Sequence, residues 1–277
     1  MRVTRYRRQL EIAFMRIATW NVNSIKQRMD NALAWLAERR PDIVCLQETK
    51  CVDDAFPRLE FESLGYNVAL HGQKTFNGVA ILSTLPFDEV TPRLPGSHED
   101  DHARFLEALI SIKDGVLRVA SIYLPNGNPP GGEKYSYKLK WMDRLIDYAS
   151  ERMMLEEPLV LAGDFNVIPA TTDARHPELW TNDALYLPQT HDRFRTLCHL
   201  GLTDAVRAGS DDPGLFTFWD YQAGAWQKNE GIRIDHVLLS PQAADRLTSA
   251  EIDRHTRAWE KPSDHVPVVA ELAIEPR

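Results

Sequence analysis

The sequence predicts a layered α/β protein, in which β-sheets are covered by helices and one domain spans residues 15–277. Short apolar runs typical of strands alternate with stretches in which apolar residues recur at helical spacing. Several strand-like runs follow one another without a long helix between them, which indicates antiparallel as well as parallel neighbours. No shift in composition marks a linker. Mixed strands with intervening helices are typical of the layered α/β class.

The first half of the chain supplies five predicted strands and one helix. "RIATWNVN" predicts a strand, and "SIKQRMDNALAWLAERR" predicts a helix that is capped by Ser24 and ended by Pro41. The apolar residues at helical spacing in this helix are Ile25, Met29, Leu33 and Leu36. "DIVCLQE" predicts a buried strand, and three more strands are expected in "GVAILS", "RFLEALISI" and "LRVASIYLP".

The second half supplies two helices and three strands. After the loop "GNPPGGE", a helix carries four large residues on one face, which are Tyr137, Trp141, Leu145 and Tyr148. "PLVLAGDFN" predicts a buried strand, and a loop rich in Pro, Thr and Asp leads to a helix near 190–200 that Gly201 ends. "IRIDHVLLS" and "HVPVVAELAI" predict the last strands.

The composition is that of a soluble globular protein in a reducing compartment. The chain has 277 residues, of which 43% are hydrophobic and 26% charged. No run of about 18 apolar residues occurs, so no membrane span is expected. The three cysteines (Cys45, Cys51 and Cys198) are odd in number and lack metal-ligand spacing. Free thiols of this kind indicate a cytoplasmic location.

Residues 1–14 are interpreted as an N-terminal basic arm outside the domain. They carry four Arg and one Glu, a net charge of +3. Because the whole chain has a net charge of −8, the remaining residues carry a net charge of −11. They lack the apolar core and cleavage site of a signal peptide. The acidic remainder argues against nonspecific binding of nucleic acid over the whole surface, but it allows a local basic groove. A phosphate-handling site in this chain would need a metal to offset its carboxylates.

Polar residues stand at the margins of five predicted strands, where ligand sites of α/β folds gather. In "GDFN", Asp164 and Asn166 would point to the same side of an extended chain, and Gly163 would permit close backbone approach. One carboxylate and one amide so placed can orient a water and hold an oxyanion. The alternative is an Asx-type turn that closes the strand.

A second group of polar residues supplies oxygen ligands. Asn21 and Glu48 end two strands, and Asp264 opens another. Such a set suits Mg²⁺ or Mn²⁺ rather than zinc. The nine His residues form no HExxH or comparable pair, which also disfavours a catalytic zinc.

Asp235 in "RIDH" and His265 in "SDHVP" are a candidate acid–imidazole pair. The Asp would fix the imidazole tautomer and favour its protonated form, which can stabilise charge on a phosphate. Tyr123 and Asn126 in "IYLPNG" add a phenol and an amide. No GxSxG, Walker A loop or Rossmann fingerprint occurs, so metal-assisted phosphodiester hydrolysis fits the residues best.

Seven motifs in order resemble the exonuclease III family of abasic-site endonucleases, within the endonuclease/exonuclease/phosphatase superfamily. They are "WNVNSIKQR", "PDIVCLQETK", "IYLPNG", "LAGDFNV", "FTFWDY", "GIRIDHVLLS" and "KPSDHVPV". The resemblance runs from about Met15 to about Leu272. It implies a four-layered α/β sandwich, with two mixed sheets packed face to face and flanked by helices. It also implies a Mg²⁺-dependent nuclease, with Mn²⁺ as a substitute.

The resemblance also implies a role for each site residue. The metal site would contain Asn21, Glu48, Asp164, Asn166, Asp264 and His265. The catalytic residues would be Tyr123, Asp164, Asn166, Asp235 and His265, with Asp164 acting on the attacking water and Asp235 orienting His265. Tyr123 and Asn126 would contact the scissile phosphate, and Phe218, Ile232 and Ile234 would wall an apolar pocket for an extruded abasic sugar. The number of metals and the identity of the general base stay open.

The expected activity is incision 5′ to abasic sites, with 3′-to-5′ exonuclease and 3′-end-cleaning activity on duplex DNA. The expected partner is double-stranded DNA with abasic sites or blocked 3′ ends, with no membrane and no obligate protein partner. One alternative is a phosphatase or phospholipase of the same superfamily, which acts on other phosphoesters. The other is a binding module without nuclease activity, which the filled catalytic positions disfavour.

Overall fold

A computed structural model describes residues 14–277. The predicted basic arm at residues 1–14 therefore lies, apart from Phe14, outside the described residues, and it stays a prediction. Within the described range no helix is long and apolar enough to cross a membrane. The three cysteines are free, and Cys45 lies in the core as expected from its strand.

The described residues form twelve strands and seven helices. The strands are β1 (Met15–Asn21), β2 (Ile43–Gln47), β3 (Asn67–His71), β4 (Val79–Ser83), β5 (Glu89–Pro92), β6 (Phe105–Ile112), β7 (Gly115–Tyr123), β8 (Leu159–Asp164), β9 (Thr203–Asp204), β10 (Asp235–Leu239), β11 (Leu247–Ile252) and β12 (Val268–Leu272). The helices are α1 (Met29–Arg39), α2 (Arg58–Glu62), α3 (Glu133–Met153), α4 (Pro188–His199), α5 (Ala205–Gly209), α6 (Ala225–Lys228) and α7 (Pro241–Ala244).

The strands form two six-stranded mixed sheets. The first has the order β11-β12-β1-β2-β4-β3, and the second has the order β5-β6-β7-β8-β10-β9. Each sheet contains one parallel pair, β1 with β2 and β7 with β8, and its other neighbours are antiparallel. The two sheets therefore share one plan, with a central parallel pair flanked by antiparallel strands.

Alternation along the strands divides the core into layers. One cluster lies between the sheets and takes Ile17 from β1 and Val160 from β8. Their chain neighbours Ala18 and Leu161 face outward, because successive side chains of a strand point to opposite faces. The outward clusters pack against α1 and α2 on one sheet and against α3 and α4 on the other. The predicted four-layered sandwich is confirmed.

The first predicted helix begins later than expected. It starts at Met29 without a side-chain cap, and Ser24 sits in the preceding turn at a φ of 83° instead of capping the helix. "IRIDHVLLS" is a strand only from Asp235 onward, because the preceding residues pair through isolated bridges. Four strands were not predicted, and they are the edge strands of the two sheets: β11 and β3 in the first sheet, β5 and β9 in the second.

Candidate active site

Six strand ends meet at one end of the sandwich. The parallel strands β1, β2, β7 and β8 all finish there, and β10 and β12 begin there because they run antiparallel to β8 and β1. Asp235 pairs in register with Asp164, which brings the first residue of β10 beside the last residue of β8. The polar residues at the strand margins thus form one cluster.

Glu48 is the centre of the first half of this cluster. Its Oε1 accepts hydrogen bonds from Asn21 Nδ2 at 2.8 Å and from the Tyr123 hydroxyl at 2.9 Å. Its Oε2 pairs with Lys50 Nζ at 2.7 Å. Burial alone would raise the pKa of Glu48, but the Lys50 ammonium and the Asn21 amide lower it overall. This carboxylate therefore stays ionised.

Asp164 joins the two halves of the cluster. Asn21 Nδ2 donates to its Oδ2 at 3.0 Å, and the backbone N–H of Asn166 donates to its Oδ1 at 2.9 Å. Burial, with Asp235 and Glu48 nearby, raises the pKa of Asp164 to about 7 against the opposing effect of His265. Asp164 can therefore accept or release a proton near neutral pH.

The Asx-type turn and the site role of "GDFN" coexist. Asn166 closes the turn at a φ of 48°, so the chain is not extended there and Asn166 does not share a face with Asp164. Its side chain faces β7 instead: Nδ2 donates to Leu124 O at 2.9 Å, and Oδ1 accepts from Asn126 Nδ2 at 3.1 Å. Gly163 is needed as expected, because a Cβ there would lie 1.9 Å from Ile122 O.

Asp235 and His265 form the predicted pair. His265 Nδ1 lies 2.9 Å and 3.1 Å from the two carboxylate oxygens of Asp235, and both side chains are buried. Burial would lower the pKa of His265, but the Asp235 and Asp164 carboxylates raise it to about 10. The imidazole is therefore protonated at neutral pH, and its Nε2 faces Asp164 Oδ2 at 3.8 Å.

The cluster fits a hard divalent cation. Potential ligand atoms of Glu48, Asp164 and His265 lie within 4.8 Å of one another, the one such group among the described residues. Glu48 and Asp164 offer carboxylate oxygens, the ligands that Mg²⁺ and Mn²⁺ prefer, and coordination of a metal by His265 stays a prediction. Bound there, such a cation would act as a Lewis acid that neutralises phosphate charge.

Three other residues expected at the metal face different partners. Asn21 presents its amide nitrogen to both carboxylates. Asp264 is half-buried, and its Oδ1 accepts from Asn23 Nδ2 at 3.0 Å. Asn166 turns toward Asn126. In this arrangement the three hold the site together, and their coordination of a metal stays a prediction.

A cavity of about 470 Å³ lies near the cluster. Phe218 and Ile232 line it, and Ile234 belongs to the same apolar cluster as these two residues. The Phe218 ring packs against the His265 ring at a centroid distance of 5.0 Å, so Phe218 connects the cavity to the imidazole. Trp180, which was not predicted, also lines the cavity, and the role of the cavity as a sugar pocket stays a prediction.

Sequence reasoning also missed the residues that support the cluster. Lys50 bridges Glu48 and Asn23, with Nζ 2.5 Å from Asn23 Oδ1. Thr217 Oγ1 accepts the backbone N–H groups of Ile234 and Asp235, at 3.1 and 3.2 Å. Lys50 and Thr217 lie inside two of the seven motifs ("QETK" and "FTFW"), and that position was the sequence signal that could have identified them.

Glu48 has a left-handed backbone conformation, with a φ of 53°. Such a conformation costs about 1–3 kcal/mol for a residue of this type and persists where the surroundings enforce it. The hydrogen bonds that Glu48 accepts from Asn21 and Tyr123 help to hold it.

Comparisons with known proteins agree with this geometry. The sequence model of the Endonuclease/Exonuclease/phosphatase family matches residues 18–265. Exodeoxyribonuclease III of Haemophilus influenzae is 32% identical to this chain over 266 residues, covering 93% of this chain and 100% of the relative. The DNA repair nuclease APEX1 of Danio rerio is 31% identical to this chain, and the match covers 95% of this chain and 83% of the relative.

Two solved structures share the fold closely. A Neisseria 3′ phosphatase bound to a product DNA hairpin has a TM-score of 0.89 at 38% identity, covering 93% of this chain and 99% of that chain. An AP endonuclease from Archaeoglobus fulgidus has a TM-score of 0.88 at 36% identity, covering 92% of this chain and 98% of that chain. The chain therefore belongs to the endonuclease/exonuclease/phosphatase family, and within it to the exonuclease III group.

Proposed function

We propose that this chain is a Mg²⁺-dependent DNA-repair nuclease that hydrolyses the phosphodiester bond 5′ to abasic sites and removes blocked 3′ ends from duplex DNA. Membership of the exonuclease III group makes it a DNA-repair hydrolase. One observation carries the finer assignment: Phe218 lines the cavity and packs its ring against the His265 imidazole. A base-free sugar held in that cavity would leave its phosphate at the polar cluster.

The side chains divide the chemistry between them. His265, kept protonated by Asp235, donates from Nε2 to a phosphoryl oxygen and stabilises the charge that develops there. Asp164, with a pKa of about 7, accepts the proton of the attacking water. Tyr123 and Asn126 contact the scissile phosphate. In this division of roles, Asp164 is the general base.

The substrate class follows from the cavity and from the relatives. Extruding an abasic sugar is cheap because no base has to be unstacked, and the apolar part of the cavity wall favours such a sugar. Phe218 and Ile232 supply that apolar part, while Arg175, Asp183 and Glu230 are among the polar residues that line the rest. The relatives include both an AP endonuclease and a 3′ phosphatase, which supports internal incision and 3′-end cleaning by one site.

The test is a cleavage assay on four substrates: abasic duplex, intact duplex, duplex with a 3′-phosphate, and phospholipid vesicles. Abasic and 3′-blocked duplexes should be processed with Mg²⁺ or Mn²⁺, and EDTA should abolish the activity. Glu48→Gln should raise the Mg²⁺ concentration needed, and calorimetry should show weaker Mg²⁺ binding. Hydrolysis of the vesicles would favour the lipid-phosphatase alternative, and full activity in EDTA would refute the metal assignment.

The cellular setting remains part of the same proposal. Three free thiols, two of them buried, support a cytoplasmic location. The expected partner is damaged duplex DNA, without an obligate protein partner. Gel filtration of the purified protein with and without an abasic duplex tests whether DNA binding requires any second protein.

A further inference from the structure

A buried lysine lies directly behind the active site. Lys138 is on α3, and its side chain has no solvent exposure. Nζ donates to the backbone carbonyl of Asn166 at 2.6 Å and to that of Asn126 at 3.2 Å. Neither the metal-binding residues nor the imidazole pair uses this group. A fully buried lysine is costly to desolvate, so its placement requires a reason.

The two carbonyls belong to the turns that follow the parallel strands of the second sheet. The β7 turn (residues 124–128) carries Asn126, and the β8 turn (residues 164–168) carries Asn166. Beyond the strand ends these carbonyls have left the β-ladder, and a buried carbonyl without a donor is destabilising. One lysine with three N–H donors can satisfy both at once.

Other contacts indicate that the two turns act as one unit. Asn126 Nδ2 donates to Asn166 Oδ1 at 3.1 Å, and the Leu124 N–H donates to Asp164 O at 2.9 Å. Gly127 packs on the lysine stem: a Cβ there would lie 2.6 Å from Lys138 Cδ, and its φ of 87° also favours glycine. Lys138 is therefore enclosed by the turns that it joins.

We propose that Lys138 is a positioning residue: it joins the β7 and β8 turns so that Asn166, bonded to Asn126, holds the Asn126 amide toward the scissile phosphate. The inference rests on the proposed function, because it assigns the Asn126 amide to the phosphate. Misplacing a substrate-positioning group by about 1 Å can cost about 10²-fold in rate. An apolar residue at position 138 would fill the space but leave both carbonyls free to shift.

The experiment compares Lys138→Met with Met142→Ala, one helical turn further along α3 and equally buried. Lys138→Met should lower kcat on abasic duplex by about 10²-fold. Its affinity for a duplex with an uncleavable abasic analogue, measured by anisotropy in EDTA, should change little. Met142→Ala should lower the thermal midpoint and leave kcat at wild-type level at a temperature where it is folded.

A double-mutant cycle decides whether Lys138 acts through the amides. In an Asn126→Ala, Asn166→Ala background, Lys138→Met should cause little further loss. Losses that multiply, or wild-type kcat in Lys138→Met, would overturn the inference. If Lys138→Met does not fold, Lys138→Gln, which keeps one donor, is measured in the same cycle with the same two outcomes. A wild-type protein that is inactive on abasic duplex would instead refute the proposed function.

Discussion

Two buried polar clusters lie on either side of β10, and they differ in charge balance. The first, the site cluster, consists of Glu48, Asp164, Asp235 and His265. The second, the ion-pair network, consists of Asp173, Asp204, Arg207, Arg233 and His236. Adjacent residues of β10 belong to different clusters: Asp235 faces the site cluster, whereas His236 faces the ion-pair network.

The ion-pair network is compensated. Arg233 donates to Asp173 at 2.7 Å and to Asp204 at 2.6 Å, and Arg207 also pairs with Asp173. Burial would raise the pKa values of both carboxyls, but the guanidinium groups hold them below the ordinary value. His236 completes the network through Arg233 at 2.9 Å and Val167 O at 2.9 Å. Each acid has a fixed cation.

The site cluster is less fully compensated. Its three carboxylates face two cations, His265 and the Lys50 ammonium that pairs with Glu48. Asp164 is left without a cation of its own, and its pKa is raised to about 7. Buried charge alone therefore does not identify an active site: both clusters are buried, but only the site cluster contains a group of ligand atoms that could hold a metal ion.

The largest effect is expected from breaking the Asp235–His265 pair. Asp235→Asn or His265→Gln should each lower the single-turnover rate by on the order of 10²–10⁴-fold, because each removes the fixed imidazolium. The double variant should lose little more than either single variant, since the two act as a unit. Rates at saturating Mg²⁺ test this, with calorimetry to verify folding. Strictly multiplicative losses would show that the two side chains work independently.

Breaking the network should instead affect stability. Arg233→Met leaves Asp173 and Asp204 buried with too little positive charge, and it should lower the free energy of unfolding by about 3–5 kcal/mol. Urea denaturation measures the change. Arg195→Ala, which removes an exposed ion pair with Asp192, is the control and should cost less than about 1 kcal/mol. An Arg233→Met protein of unchanged stability would contradict the contrast between the clusters.

The two clusters should give opposite pH dependences of stability in EDTA. His265 has a folded pKa raised from 6.5 to about 10, so its contribution is complete below pH 6.5 and is lost as pH rises toward 10. Asp173 and Asp204 have lowered folded pKa values, so their contribution is present above 3.8 and is lost as pH falls below it.

Urea midpoints across the pH range test these signs. His265→Gln should flatten the alkaline side of the profile, and Arg233→Met should flatten the acid side. The same variant flattening both sides would mean that the two clusters titrate as one.

The smallest effect concerns the apolar part of the cavity wall. Phe218→Ala combined with Ile232→Ala should keep metal-dependent cleavage but reduce the preference for abasic over intact duplex, by about tenfold on the scale of lost apolar contacts. The measurement is the ratio of incision rates on matched oligonucleotides, with thermal stability checked in parallel. Leu59→Ala, an exposed residue on α2, is the control. An unchanged ratio in the folded double variant would place the selectivity elsewhere.

Much of the fold was predictable because strand and helix periods are local properties. The buried strands β2 and β8 and the helices α3 and α4 lie where the apolar patterns predicted them. The edge strands β3 and β11 were missed because a strand exposed on one side has a weaker pattern. The turn before α1 was missed because a left-handed φ at Ser24 leaves no signature in hydrophobic spacing.

The sequence by itself determined which residue types would be available at the strand ends, since apolar runs that stop at Glu48 and Asp164 can be read directly. It also determined the order of the motifs, and hence the family. Only the tertiary structure decided which of these side chains pair with one another. "DH" occurs in two of the seven motifs, yet Asp235 of the first pairs with His265 of the second, while His236 and Asp264 face elsewhere. Pairing of this kind depends on the register of β10 against β8 and on the packing of two sheets. Those are long-range contacts, which no local pattern encodes.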